Sequence, residues 1–136
     1  MNGIVWEKYT PVIKVGKHAD YDVSISVTFS KTNGESLNFY FANKGLEIAK
    51  NFGRLEHSEI LPNTTRIYFN FLPRDERAGY CITKQGSSCR RLKASFPLRN
   101  KNKSSVVKGR WVGDYKIGYD RDYHYYYIDT ATRIER

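Results

Sequence analysis

The chain has 136 residues, of which 40% are hydrophobic and 15% aromatic, and a formal net charge of +9. This length fits one domain spanning residues 1–136, and this apolar fraction supplies a core, which argues against wholesale disorder. The first eight residues contain no long apolar run, and no stretch approaches the roughly 18 apolar residues of a membrane helix, so we expect a cytoplasmic protein without a membrane segment.

The first predicted elements form a β-hairpin. Residues 22–29 alternate apolar and polar side chains, Asn33-Gly34 follows, and residues 36–41 alternate again. Two runs of period two around Asn-Gly strongly indicate a hairpin, because these two residues tolerate the positive φ angles of its turn. The eleven tyrosines and seven phenylalanines also favour a sheet, since flat rings pack well on a pleated surface.

A single short helix is predicted next, over residues 43–52. Asn43 is placed to cap its N-terminus, Leu46 and Phe52 share its apolar stripe, and Gly53 is placed to end it. A helix of about ten residues is marginal alone in water, so it must pack on the sheet.

The rest of the chain predicts an antiparallel meander. Alternation indicates strands at residues 65–72, 79–84, 89–96 and 123–128, with weaker candidates at 106–112 and 115–119. The segment 98–105 is rich in Lys and Asn and predicts a basic loop, and residues 129–136 predict a loosely ordered tail. We therefore expect a strand-dominated α+β fold: an antiparallel sheet of about seven or eight strands with one short helix packed on it. The predicted core is Ile25, Val27, Phe39, Phe41, Leu46, Phe52, Phe69 and Leu92.

The two cysteines allow two interpretations. If Lys84-Gln85-Gly86 forms a hairpin loop, Cys81 and Cys89 face each other across two strands, where a disulfide is geometrically allowed. In a reducing cytoplasm two free thiols are expected instead. Two cysteines and three scattered histidines offer no zinc-ligand spacing. We therefore expect no metal and no cofactor, and we expect the histidines to be ordinary surface or edge residues.

The excess positive charge lies in one 33-residue segment, residues 84–116. This basic segment contains ten cations and a single acid, Asp114, whereas the remaining chain is neutral. Protein surfaces normally mix both signs, so such a concentration predicts one continuous strip that attracts phosphates. The ten cations are Lys84, Arg90, Arg91, Lys93, Arg99, Lys101, Lys103, Lys108, Arg110 and Lys116.

Aromatic residues adjoin this charge. Trp111 follows Arg110, and Tyr119 and the tyrosine-rich residues 123–128 come after it. Rings interleaved with cations are typical of surfaces on which the bases of single strands stack. We therefore predict that Trp111 and Tyr119 join the ten cations in a nucleic-acid-binding site. The competing interpretation is that these rings fill the core or its rim.

The sequence favours a non-enzymatic protein that binds the phosphate backbone of DNA or RNA, with a preference for single strands. It contains neither the GxxxxGKS phosphate loop nor the GxSxG elbow. Asp114 and Lys116 resemble only the Asp-x-Lys end of a metal-dependent nuclease site. Glu35, Asp20 or Asp22 would have to supply a further carboxylate, so nuclease activity is the residual enzymatic alternative.

A second interpretation is an adaptor or inhibitor that docks on an acidic protein surface or a nucleoprotein complex. Small size, a lack of catalytic groups and abundant Lys, Asn, Ile and Tyr are typical of phage and mobile-element products. Proteins that block nuclease-based host defences belong to that class, which is an analogy at the level of protein type. The exposed edge of the hairpin also favours a homodimer.

Overall fold

A computed structural model of the chain describes residues 21–61, 63–85 and 91–135. The strands are β1 (Val23–Ser30), β2 (Gly34–Phe41), β3 (Arg54–His57), β4 (Arg66–Leu72), β5 (Tyr80–Gln85), β6 (Arg91–Leu98), β7 (Gly113–Tyr115), β8 (Gly118–Asp120) and β9 (Tyr125–Asp129). The helices are α1 (Asn43–Ala49) and α2 (Lys101–Val106), the latter continued by a π-helical turn (Val107–Trp111).

These strands form one antiparallel sheet in the spatial order β7-β1-β2-β6-β5-β3-β4-β9-β8. Strands account for 48% of the residues and helices for 19%, which confirms the predicted strand-dominated α+β class. The sheet curves into a half-barrel, so that its inner face encloses the core.

The predicted hairpin is confirmed as β1 and β2. The two strands pair from Ser30 opposite Gly34 to Val23 opposite Phe41. Gly34 has a φ of +74°, a conformation that glycine adopts without the steric cost of a side chain. Val23 and Ile25 of β1 and Leu37, Phe39 and Phe41 of β2 are buried in the core, as period two requires, whereas Phe29 near the end of β1 is 73% exposed.

The helix α1 is shorter than predicted and begins differently. Ala42 occupies the cap position, and the Asn43 side chain instead donates to the Tyr21 carbonyl at 2.8 Å. The Asp22 carboxylate accepts the backbone N–H of Lys44 at 3.3 Å, so an acid from outside the helix satisfies one of the free N–H groups of its first turn. Because α1 ends at Ala49, Phe52 is not part of its packed stripe.

Five of the eight predicted core residues are buried: Ile25, Phe39, Phe41, Phe69 and Leu92. The other three are not fully buried, although Val27 and Leu46 pack against the core. Val27 is only partly buried, since β7 reaches along β1 no further than Ile25. Leu46 is partly buried, and Phe52 is 36% exposed, with its ring on the edge of the core against Phe71.

The predicted loop at 98–105 and the candidate strand at 106–112 are both wrong, because this stretch forms α2 and the π-helical turn. The Asn100 side chain caps α2 by accepting the backbone N–H of Asn102 at 2.9 Å, as Asn commonly does at this position. Val107 and Trp111 then point into the core, and the N–H of Val112 reaches back to the Val107 carbonyl at 3.0 Å.

The end of the chain is also more ordered than predicted. Asp129 caps a short 3-10 turn (Thr130–Thr132) by accepting the N–H of Ala131 at 2.9 Å. The N–H of Ile134 donates to the Asp114 carbonyl of β7 at 2.8 Å. The N–H of Thr130 also donates to the Thr65 carbonyl at 2.7 Å. The bonds to Thr65 and Asp114 hold this segment on the sheet, in place of a loose tail.

The register of β5 and β6 rules out the predicted three-residue loop at 84–86. Lys84 and Gln85 both belong to β5, and Gln85 pairs with Arg91. Cys81 pairs with Arg54 of β3 and is an exposed free thiol. Cys89 lies outside the described residues.

Phe69→Ala tests the core. Phe69 is 1% exposed, and its ring lies 5.3 Å from that of Phe39. Truncation of a buried phenylalanine leaves a cavity, so we expect the free energy of unfolding to fall by about 3–5 kcal/mol.

Phe29→Ala is the matched control, because Phe29 is 73% exposed and its loss should change stability by less than about 0.5 kcal/mol. Urea denaturation of both variants measures the difference. Equal midpoints for the two variants would show that Phe69 is not in the core.

Candidate nucleic-acid interface

The cations of the basic segment lie on different faces of the sheet. Arg91 and Lys93 alternate along β6 with the buried Leu92 and Ala94. Because successive side chains of a strand point to opposite faces, both cations lie on the outer face. Arg90 lies outside the described residues.

Tyr40 of β2 joins Arg91 and Lys93 on this outer face. The guanidinium of Arg91 lies 5.2 Å from the centre of the Tyr40 ring, and the ammonium of Lys93 lies 5.6 Å from it. Arg91 also donates to the Tyr21 hydroxyl at 3.1 Å. We call these residues the Tyr40 patch. Its cations are held on aromatic rings, an arrangement that electrostatic attraction to the ring face stabilises.

A second and larger group of cations surrounds α2 and the π-helical turn. Its five members are all exposed and are here called the α2 surface. They are Arg99, Lys101, Lys103, Lys108 and Arg110. Ser104, Val107 and Trp111 form the opposite, buried side of this element, so packing of the helix against the core directs the cations to solvent.

The prediction of one continuous strip is therefore wrong. The α2 surface lies over the inner side of the sheet, where Val107 and Trp111 belong to the core, whereas the Tyr40 patch lies on the outer side. Lys84 is exposed near the end of β5, and Lys116 is exposed between β7 and β8. Cations that are neighbours in the sequence are therefore separated in the folded structure.

Trp111 cannot stack on a base in this structure, contrary to the prediction. It is fully buried, and its ring lies 6.3 Å from that of His57. Its Nε1 has no hydrogen-bond partner among the described residues. The competing interpretation, a ring in the core, is the correct one for this residue.

Tyr119 lies apart from both groups of cations. It is 47% exposed on the edge strand β8, and its ring lies 4.9 Å from that of Tyr126. Among the described residues, no cation is placed over the Tyr119 ring; the cation–ring contacts involve Tyr40 and Tyr127. The structure thus packs the Tyr119 ring against Tyr126.

A groove beside the α2 surface contains residues that sequence reasoning missed. It has a volume of about 420 Å³. Its lining includes His57, Glu59, Tyr80, Phe96, Arg99 and Lys103. These residues come from β3, β5, β6, α2 and the segments that follow β3 and β6, so no local spacing in the sequence could have indicated the groove.

Three aromatic rings form one wall of the groove. The Phe96 ring lies 4.6 Å from that of His57 and 4.9 Å from that of Tyr80, both in edge-to-face geometry. Such pairs are a favoured arrangement of aromatic rings. Phe96 is almost fully buried, but Tyr80 is 45% exposed, so the wall ends in a ring that a ligand can reach.

The His57 imidazole is neutral at neutral pH. Burial lowers its pKa below the ordinary value of 6.5, and the positive charge of Lys103 lowers the pKa further, against a hydrogen bond to Ser58 that raises it. The Nδ1 atom lies 2.6 Å from the Ser58 carbonyl oxygen. A carbonyl only accepts hydrogen bonds, so Nδ1 carries the proton and Nε2 keeps its lone pair.

Lys108 differs from the other cations of the α2 surface because it fastens α2 to β2. Its ammonium lies 2.9 Å from the Glu35 carboxylate, which also accepts a hydrogen bond from the Ser104 hydroxyl at 2.5 Å. The Ser104 hydrogen bond, followed by Lys108, lowers the pKa of Glu35. Glu35 therefore stays ionised at neutral pH and holds Ser104 of α2 and Lys108 of the π-helical turn.

Of the carboxylates considered for a nuclease site, Glu35 lies far along the sheet from Asp114, whereas Asp22 is two residues from Ser24, the partner of Asp114 in the sheet. The buried Asp114 accepts a hydrogen bond from Ser24 at 2.7 Å, whereas Glu35 pairs with Phe29, five residues or roughly 16 Å further along β1. Asp22 accepts the N–H of Ile117 at 3.0 Å, and Asp20 lies outside the described residues. Within the described ranges, no cluster of three or more metal-ligating side chains occurs.

The pH dependence of stability tests the environment of His57. The unfolded chain protonates His57 at a higher pH than the folded chain does, so the free energy of unfolding falls as the pH drops below about 6.5. We expect lower stability at pH 5.5 than at pH 7.5, and a smaller difference in His57→Phe. Urea denaturation at both pH values measures it.

His124→Asn provides the control. His124 is exposed and has a positive φ of 62°, which Asn tolerates. This variant should keep the wild-type difference between the two pH values. An undiminished difference in His57→Phe would contradict the buried, neutral imidazole.

No protein-family model, curated protein or solved structure matches this chain. In the part of the chain that the structure describes, no helix is long and apolar enough to cross a membrane. The geometry of the α2 surface and its groove is therefore the basis on which a function can be inferred.

Proposed function

We propose that the protein is a non-enzymatic cytoplasmic module that binds single-stranded nucleic acid, with the α2 surface contacting the phosphate backbone. The observation that carries this proposal is the exposure of five cations between the end of β6 and the π-helical turn. Of these five, Lys108 alone forms a salt bridge with a carboxylate among the described residues. The other four are available to phosphates.

The local charge supports this proposal. No acidic residue occurs in the sequence between Glu76 and Asp114. From the rest of the chain, Glu35 pairs with Lys108 and Glu59 lines the groove with Arg99 and Lys103, so the five cations of the α2 surface remain in excess. A surface with an excess of positive charge attracts phosphates and releases their condensed counterions on binding.

The shape of the element favours backbone contact over the reading of duplex bases. The helix α2 has six residues, a length of roughly 9 Å, and one of its sides is packed on the core. A recognition helix in a major groove must insert a free face into that groove. The α2 surface instead offers long, flexible cationic side chains, which suit a backbone of variable path.

The salt dependence of binding tests the α2 surface. Arg99→Ala, Lys101→Ala and Lys103→Ala together remove three cations without touching the core. Each phosphate contact that is lost should reduce the slope of log affinity against log salt by about 0.7–0.9, so the triple variant should have a slope smaller by about 2 to 3. Fluorescence titration of a labelled single strand over a salt series measures this slope.

A second triple variant is matched in charge: Lys31→Ala, Lys44→Ala and Arg77→Ala. These cations are also exposed but lie outside the basic segment. The control should keep a slope close to that of the wild type. Equal slopes in the two triple variants would mean that only net charge matters.

If the wild type binds neither DNA nor RNA at about 50 mM salt, where electrostatic binding is strong, the proposal is wrong. An acidic protein surface or a host nucleoprotein complex would then become the partner to test. The same positive field would steer such a partner to the α2 surface.

A further inference from the structure

We propose that the groove beside the α2 surface holds one nucleotide of the bound strand, with its base stacked on Tyr80 and its phosphate between Arg99 and Lys103. This inference rests on the proposed function and adds to it a specific place for a base. The groove is the place in the described structure where an exposed ring and two cations of the α2 surface line the same space.

The size of the groove fits such a ligand. Its volume of about 420 Å³ falls within the roughly 300–1,000 Å³ of typical small-molecule sites. That volume exceeds the space needed by a phosphate ion alone. An occupant that uses both the cationic and the aromatic lining must carry an anionic group and a flat ring, and a nucleotide has both.

Tyr80 is held in position before any ligand binds. Its ring is fixed edge-to-face on Phe96 at 4.9 Å, and Phe96 is in turn packed against Phe39 at 5.6 Å. Tyr80 is therefore attached to the core through one intermediate ring while 45% of it stays exposed. A ring with little freedom left to lose is a favourable stacking platform, because binding costs less conformational entropy.

Neither Arg99 nor Lys103 forms a salt bridge among the described residues, although Glu59 lines the same groove. Arg99 follows β6 directly, Lys103 lies on α2, and both residues line the groove. His57 also lines the groove and, because burial lowers its pKa, adds no positive charge there at neutral pH. The groove thus separates a cationic side for the phosphate from an aromatic side for the base.

Two single strands of equal length test the inference, one with bases and one in which every base is replaced by an abasic residue. Wild-type protein should bind the base-containing strand more tightly. Tyr80→Ala should weaken binding of that strand by about 5- to 150-fold, the effect of losing one stacked base. The same variant should leave both the salt slope and the affinity for the abasic strand unchanged.

Two further variants separate stacking from folding. Tyr80→Phe keeps the ring and should keep the affinity, even if Tyr80→Ala fails to fold. Tyr125→Ala removes a tyrosine of similar exposure, 43%, from the distant strand β9, and should leave binding of both strands unchanged.

The outcomes distinguish the two proposals. If both strands bind equally well to the wild type, or if Tyr80→Ala binds the base-containing strand as tightly as the wild type, the groove proposal fails while backbone binding stands. If neither strand binds, the proposed function fails and the groove proposal with it. Tyr80-dependent binding of a polyglutamate peptide, without binding of either strand, would reassign the groove to an acidic protein.

Discussion

The contact between Phe39 and Phe69 sets the shape on which the rest of the structure depends. Three strands separate β2 from β4 in the sheet, so in a flat sheet the two residues would be roughly 19 Å apart. Their ring centres are 5.3 Å apart. The sheet must therefore curl around these rings, and burial of the rings stabilises that curvature. The short connection between the two edge strands also requires a curled sheet. Only Lys116 and Ile117 join β7 to β8, a span of at most roughly 11 Å.

Curvature explains why the basic segment is divided. The segment after β6 crosses the enclosed inner face of the sheet. Its Val107 and Trp111 side chains are buried in the core there. The cations that flank these anchors must face solvent, because burial of an unpaired charge is costly. Arg91 and Lys93 precede the turn and remain on the outer face with Tyr40. The basic segment thus contributes cations to both the α2 surface and the Tyr40 patch.

Much of the fold could be predicted because its signals are local. Alternation of apolar and polar residues predicted the hairpin, most strands and five of the eight core positions. This was possible because alternation is visible among residues that are adjacent in the sequence. The helix α2 was missed because its apolar residues, Val106, Val107 and Trp111, are few and follow a stretch of Lys and Asn. Asn100 was the available signal for its start. The sequence shows which residues are cationic but not where they lie in the fold. No local pattern indicates which face of a curled sheet a later segment will cover.

The groove could not be predicted for a related reason, and its position ties the candidate site to the fold. Phe39, at the centre of the core, packs on Phe96, and Phe96 packs on Tyr80 at the surface. A line of edge-to-face rings therefore connects the contact that curls the sheet with the exposed wall of the groove. Contacts of this kind join strands that are distant in sequence, and they appear only after the curvature has formed. The geometry that the core imposes is thus also the geometry that places Tyr80 beside Arg99 and Lys103.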